Sequence, residues 1–167
     1  MAQNLAFCIA FLAVCLDITT DKISNVAIVA FILTGIVYQT SVHGIAGIWW
    51  YLKGAGIPLL MLFILFVFRM LGPGDIKLLS VLGGIIGFNA IIKCIALAFL
   101  FGAILAIAFI IVCGNFRQRL RYLTDYIANF LKTRAITAYY KPGMQMENFH
   151  FSVPIFMSII LYVGGFY

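Results

Sequence analysis

Acidic residues are almost missing from this chain. Among 167 residues there are only five, Asp17, Asp21, Asp75, Asp125 and Glu147, against eleven Lys and Arg. Charged residues make up 10% of the sequence and hydrophobic ones 65%, where soluble domains run at about 25% and about 45–50%. That balance excludes a soluble globular protein. Paired cysteines are missing too: Cys8, Cys15, Cys94 and Cys113 all fall in apolar stretches with no Cys-x-x-Cys spacing, so they read as small core residues and not as metal ligands. No His-Glu-x-x-His occurs, which removes the common metalloprotease motif, and no serine sits in a Gly-x-Ser-Gly context. The start, Met-Ala-Gln-Asn, lacks the positive n-region of a signal peptide. Leu12-Ala13-Val14-Cys15 has Val14 where a lipoprotein cleavage site needs a small residue. The first apolar run is therefore expected to be retained.

What is present is a series of long apolar runs. At about 20 residues per membrane-spanning helix, the length accommodates roughly six spans with short connections and one longer loop. Hydropathy places them near residues 4–18, 24–42, 54–71, 76–92, 94–113 and 151–167. The expected fold class is an all-α integral membrane protein, a six-helix bundle forming one membrane-embedded domain over residues 1–167.

The cations set an orientation, because Lys and Arg in short loops stay cytoplasmic. The first, third and fifth connections hold Lys22, Arg69, Lys77, Arg117, Arg119, Arg121, Lys132, Arg134 and Lys141, whereas the second and fourth hold only Lys53 and Lys93. Nine against two puts the odd-numbered connections in the cytoplasm and both termini outside. His43, Trp49, Trp50 and Tyr51 then fall at the outer interface, where amphipathic rings are favoured. Cations between apolar runs match anionic lipid as the partner and exclude nucleic acid. In the long fifth connection Phe116, Leu120, Leu123, Ile127 and Phe130 recur at steps of three and four. That stripe predicts an amphipathic helix lying in the inner interface between spans 5 and 6, followed by a turn at Lys141-Pro142-Gly143.

Acids this scarce, next to hydrocarbon, mark function by default. Asp17 ends the first span and Asp75 opens the fourth, after Gly72-Pro73-Gly74, and the orientation places both on the cytoplasmic face. Taken singly, each has a plainer role as a helix end or cap. In a compact bundle the ends of spans 1 and 4 can be neighbours, and two acids facing each other there would share one proton, because like charges a few ångströms apart do not both ionise. Such a pair activates water, one carboxylate taking its proton while the protonated partner polarises a carbonyl. Gly72 and Gly74 would let backbone approach a substrate strand, with Pro73 fixing the turn. The helix dipole at Asp75 favours its ionised form and suggests a base role there, while coupled titration leaves the assignment within the pair open.

The segment Gly72-Pro73-Gly74-Asp75-Ile76-Lys77-Leu78 resembles the Gly-x-Gly-Asp-x-Lys-Leu motif of the type IV prepilin peptidases, membrane aspartic proteases that remove prepilin leader peptides. Asp17 through Asn25 resembles the first motif of that family, an Asp followed after five residues by Ile-Pro-Asn, with Ser24 in the Pro position. The resemblance implies Asp17 and Asp75 as the catalytic pair, a prepilin or pseudopilin substrate, and a place in a prokaryotic cytoplasmic membrane. Gly72, Gly74, Lys77 and Asn25 are the supporting motif residues. Larger members carry a cytoplasmic segment with paired Cys-x-x-Cys motifs and also methylate the new N-terminus with S-adenosylmethionine. The similarity here is to the short, peptidase-only form, with no metal and no cofactor expected. Asp21 reads as a solvated acid one helical turn beyond Asp17, Lys77 as a snorkelling cation, Asn25 as a polar helix start, and His150 as an interfacial residue. The competing class is a small ion-coupled carrier using Asp17 and Asp75 as cation sites, which would be expected to hold its acids near mid-membrane.

Overall fold

A computed structural model describes residues 1–68, 70–113, 121, 124, 125, 128 and 150–167. Among them are six helices: α1 (Ala2–Thr20), α2 (Asn25–His43), α3 (Ala46–Val67), α4 (Pro73–Ile86), α5 (Phe88–Cys113) and α6 (Ser152–Val163). No strand occurs among the described residues.

The breaks between helices follow local chemistry. At the end of α1 the hydroxyls of Thr19 and Thr20 donate back to the carbonyls of Cys15 and Leu16, both at 2.7 Å, and Asp21 turns left-handed at φ 54°, a conformation Asp tolerates better than most residues. The Ser24 hydroxyl then accepts from Val26 N–H at 3.2 Å and caps α2. Ser24 thereby starts the helix with a hydrogen bond, where a proline would have started it with a fixed φ. Gly72 precedes α4 in extended conformation and Pro73 occupies its first turn, where the missing N–H costs nothing.

Four segments, Ala2–Thr20, Asn25–His43, Ala46–Val67 and Phe88–Phe109, are long and apolar enough to cross a membrane. Large apolar side chains such as Leu33, Leu60, Phe63 and Ile104 cover their outer surfaces, as a lipid environment permits. The chain is a multi-pass membrane protein. The expectation of six full spans is met only as six helices, because α4 has 14 residues and α6 has 12. At 1.5 Å per residue they reach about 20 Å, short of a hydrocarbon core of about 30 Å.

Two boundaries also move. The third helix begins at Ala46, eight residues ahead of the expected 54, so Trp49, Trp50, Tyr51 and Lys53 sit within α3 and not in a connection. Amphipathic side chains lower mean hydropathy without interrupting the helix. The fourth and fifth helices are separated by Gly87 alone, at φ 85°, which leaves Lys93 inside α5. The cysteine expectation holds for Cys94, which is buried, whereas Cys8 and Cys15 are exposed on α1. Their apolar surroundings are the outer surface of the bundle. The stripe Phe116, Leu120, Leu123, Ile127 and Phe130 and the turn at 141–143 lie outside the described residues.

The short α4 is the centre of the bundle. It packs against α1, α2, α3 and α5, and Ile76, Leu78, Leu79, Val81, Leu82 and Ile85 are all buried. Its closest neighbour is α3, where Gly54 meets Gly83 backbone to backbone. At the far end of α4 the buried Gln39 of α2 donates its amide to the carbonyl of Gly84 at 2.8 Å and of Ile85 at 3.3 Å. Those carbonyls belong to the last turn, which has no partners of its own. α6 packs on α5 and α1, its Phe156 ring lying 5.4 Å from Phe7 and 5.9 Å from Phe11. This docking brings the start of α6 to the end of α1.

Candidate active site

The end of α1, the start of α2, the start of α4 and the start of α6 meet at one end of the bundle. Asp17, in the last turn of α1, is partly buried there. Its Oδ2 accepts a hydrogen bond from Ser152 Oγ at 2.5 Å and lies 3.2 Å from His150 Nδ1. Asp75 comes in on the first turn of α4, just ahead of the apolar run that begins at Ile76. Two acids 58 positions apart, on two packed helices, thus come to the same end of the bundle, near enough to feel each other's charge.

The surroundings of Asp75 favour its protonated form. Burial is the larger cause and the nearby negative charge of Asp17 the next, opposed by a hydrogen bond from the Gly72 backbone and by the charge of His150. This runs against the helix-dipole tendency toward an ionised Asp75. A first-turn dipole effect is worth about 0.3–1 kcal/mol when exposed, and removal from water with a like charge alongside outweighs it. A carboxyl that favours its protonated form near one that accepts a hydroxyl hydrogen bond is an arrangement suited to adding water to a carbonyl.

The supporting residues separate by role. Lys77 does not reach Asp75; its ammonium donates to Asn25 Oδ1 at 2.8 Å, tying the second turn of α4 to the first turn of α2. A side chain at Gly72 would put its Cβ 3.0 Å from Asp75 Oδ2, whereas one at Gly74 would meet only Ile23 at 3.8 Å. Gly72 is thus the glycine whose bareness leaves Asp75 room. Asp21 is carried off the helix by its left-handed backbone and is 62% exposed, its Oδ1 lying 3.8 Å from His150 Nε2. His150, expected chiefly at the interface with lining of the site as the lesser alternative, lies against Asp17. Ser152 has one sequence signal, a small polar residue opening an apolar run two positions after a histidine.

No group of three or more His, Cys, Asp or Glu among the described residues is arranged to hold a metal ion. A groove of about 470 Å³ lined by Trp50, Lys53, Ile57 and Phe88 opens at the opposite end of α4 and contains no carboxylate.

An all-helical membrane protein with two carboxyl groups converging at one end of its bundle is the class that fold and site define. The sequence model of the type IV leader peptidase family matches residues 5–107, a stretch that holds both acids and both glycines, and the chain belongs to that family. No curated protein and no solved structure matches it. Family membership implies a peptidase acting on prepilin-type substrates and does not favour an ion-coupled carrier.

Proposed function

We propose that this chain is an aspartic endopeptidase that removes the leader peptide from type IV prepilins or pseudopilins, using Asp17 and Asp75 on the cytoplasmic face of a prokaryotic inner membrane. The observation that carries the reading is the convergence of the two acids at one end of the bundle, where burial first and the charge of Asp17 second favour the protonated form of Asp75. In the reaction the ionised carboxylate takes a proton from water, and the resulting hydroxide attacks the scissile carbonyl while the protonated carboxyl donates to its oxygen. Collapse of the tetrahedral intermediate breaks the C–N bond, with the proton passing to the leaving amine, and the pair returns to its shared-proton state.

The cations support the side. Lys22 and Lys77 lie at the same end as the acids, while Lys53 and Lys93 fall in the early turns of α3 and α5, toward the other face. A site at the membrane boundary gives water access to a scissile bond whose flanking apolar segment stays in lipid. Six membrane-embedded helices, with α4 and α6 too short to span an undistorted bilayer, fit local thinning around the site.

Co-expression of the chain with a candidate prepilin, read as precursor and mature bands, tests the reading. Conversion to a mature band that depends on this chain is the expected result. A prepilin that remains full-length beside the folded chain, across the prepilins encoded with it, would contradict the reading.

A further inference from the structure

We infer that His150 and Ser152 are the positioning residues of Asp17, holding its Oδ2 from two directions so that Asp17 is the water-activating member of the pair and Asp75 the proton carrier. The inference rests on the aspartic-peptidase reading and deepens it. Both residues lie beyond the stretch matched by the family model, residues 5–107, and they reach Asp17 from 133 and 135 positions away in sequence.

The geometry is built and not incidental. Ser152 is fully buried, so its hydroxyl has no water to prefer over the carboxylate, and a buried hydroxyl without a partner is costly. Its hydrogen to Asp17 Oδ2 makes that oxygen an acceptor. His150 Nδ1 converges on the same oxygen at 3.2 Å, which requires the tautomer carrying its proton on Nδ1. Two donors converging on one carboxylate oxygen suit the charged form of Asp17, which leaves the proton that the pair shares to the buried Asp75.

The segment bearing the two donors is anchored by the residue between them. The Phe151 ring packs on Phe99 of α5 at 5.2 Å, and a Cβ on Gly102 would come within 3.0 Å of that ring. The His150 carbonyl accepts from Val153 N–H at 3.1 Å, which fixes the backbone from which the imidazole projects. Docking of α6 on α5 and α1 therefore aims both donors at the end of α1. Asp21, 3.8 Å from Nε2, is too far for a hydrogen bond and faces the other edge of the ring.

Steady-state cleavage of a prepilin-type peptide by the purified full chain in detergent tests the assignment. Ser152→Ala and His150→Ala are each expected to lower kcat by about tenfold to a hundredfold, the loss of one hydrogen bond to a charged group, with KM within about twofold. His150→Asn and His150→Gln discriminate geometry from bulk, because an Asn amide nitrogen falls near Nδ1 and a Gln amide nitrogen near Nε2. Asn is expected to recover kcat to within a few-fold and Gln to stay low; this comparison stands even if the alanine variants fold poorly. Full kcat in both alanine variants, a change in KM alone, or equal recovery by Gln and Asn would each overturn the inference. If Asp17→Asn is inactive while these variants are not, only the inference fails; if Asp17→Asn keeps full activity, the aspartic reading fails with it.

Discussion

Replacing Gly54 by Ala adds one methyl group at the tightest point of the bundle. A Cβ there would overlap the Gly83 carbonyl, standing 2.8 Å from its carbon and 3.3 Å from Gly84 Cα. Every atom met is backbone, so no rotamer change relieves the overlap and α3 must back away from α4. Overpacking of this kind costs about 1–3 kcal/mol, and a rigid backbone neighbour puts the cost near the upper end. Alanine returns about 1 kcal/mol through its better helix propensity, which leaves a net loss of about 2 kcal/mol. Gly56, two residues along the same helix, has nothing within 4 Å of the equivalent position, so Gly56→Ala should be neutral or stabilising by up to about 1 kcal/mol. Reversible unfolding in mixed micelles, followed by the fluorescence of Trp49 and Trp50, measures both. Since α4 carries Asp75, Gly54→Ala should also lower peptide cleavage. A Gly54→Ala protein as stable as Gly56→Ala would refute the backbone contact and with it the placement of α4.

Further expectations concern topology, product and pH. A reporter fused after Tyr167 should read extracytoplasmic and a label near Lys141 cytoplasmic, following the nine-to-two distribution of cations; reversal of both would move the acids to the outer face. The chain has no Cys-x-x-Cys pair, so the substrate matured by it alone should carry an unmodified N-terminus, and an N-methyl group detected by mass spectrometry and dependent on this chain would contradict that. Burial and the charge of Asp17 raise the pKa of Asp75; the proton needed by the pair is therefore kept through mildly acidic pH and lost as pH rises through that raised range. The falling limb of the kcat–pH profile should stand well above the ordinary carboxylate range of about 4, and a limb near 4 would mean that Asp75 is hydrated.

The two acids were legible because so few exist: an Asp at the end of an apolar run stands out when the whole chain has five acidic residues. The helices were legible for the same reason, as apolar runs. Their boundaries were not, since a hydropathy window blurs a break as small as Gly87 and discounts Trp49 through Lys53, which the helix includes. Lys77 and Asn25 stand in their motifs without any sign that they bond to each other. His150 and Ser152 carry no local signal of their partner because their contact with Asp17 spans most of the chain. The helix position of Asp75 is a local property and favours its charged form, whereas burial among four packed helices, invisible in the sequence, favours the protonated one.

Cleavage of a synthetic precursor peptide by purified Asp17→Asn, Asp75→Asn and Asp21→Asn proteins tests the central claim most directly, because asparagine keeps the size and polarity of each side chain while removing its proton chemistry. No detectable product is expected from Asp17→Asn or from Asp75→Asn, each still folded in the membrane, and near-normal product from Asp21→Asn, whose side chain is 62% exposed. Full activity in Asp17→Asn or Asp75→Asn would contradict the aspartic mechanism, and loss in Asp21→Asn with retention in Asp17→Asn would place the first acid one helical turn further along.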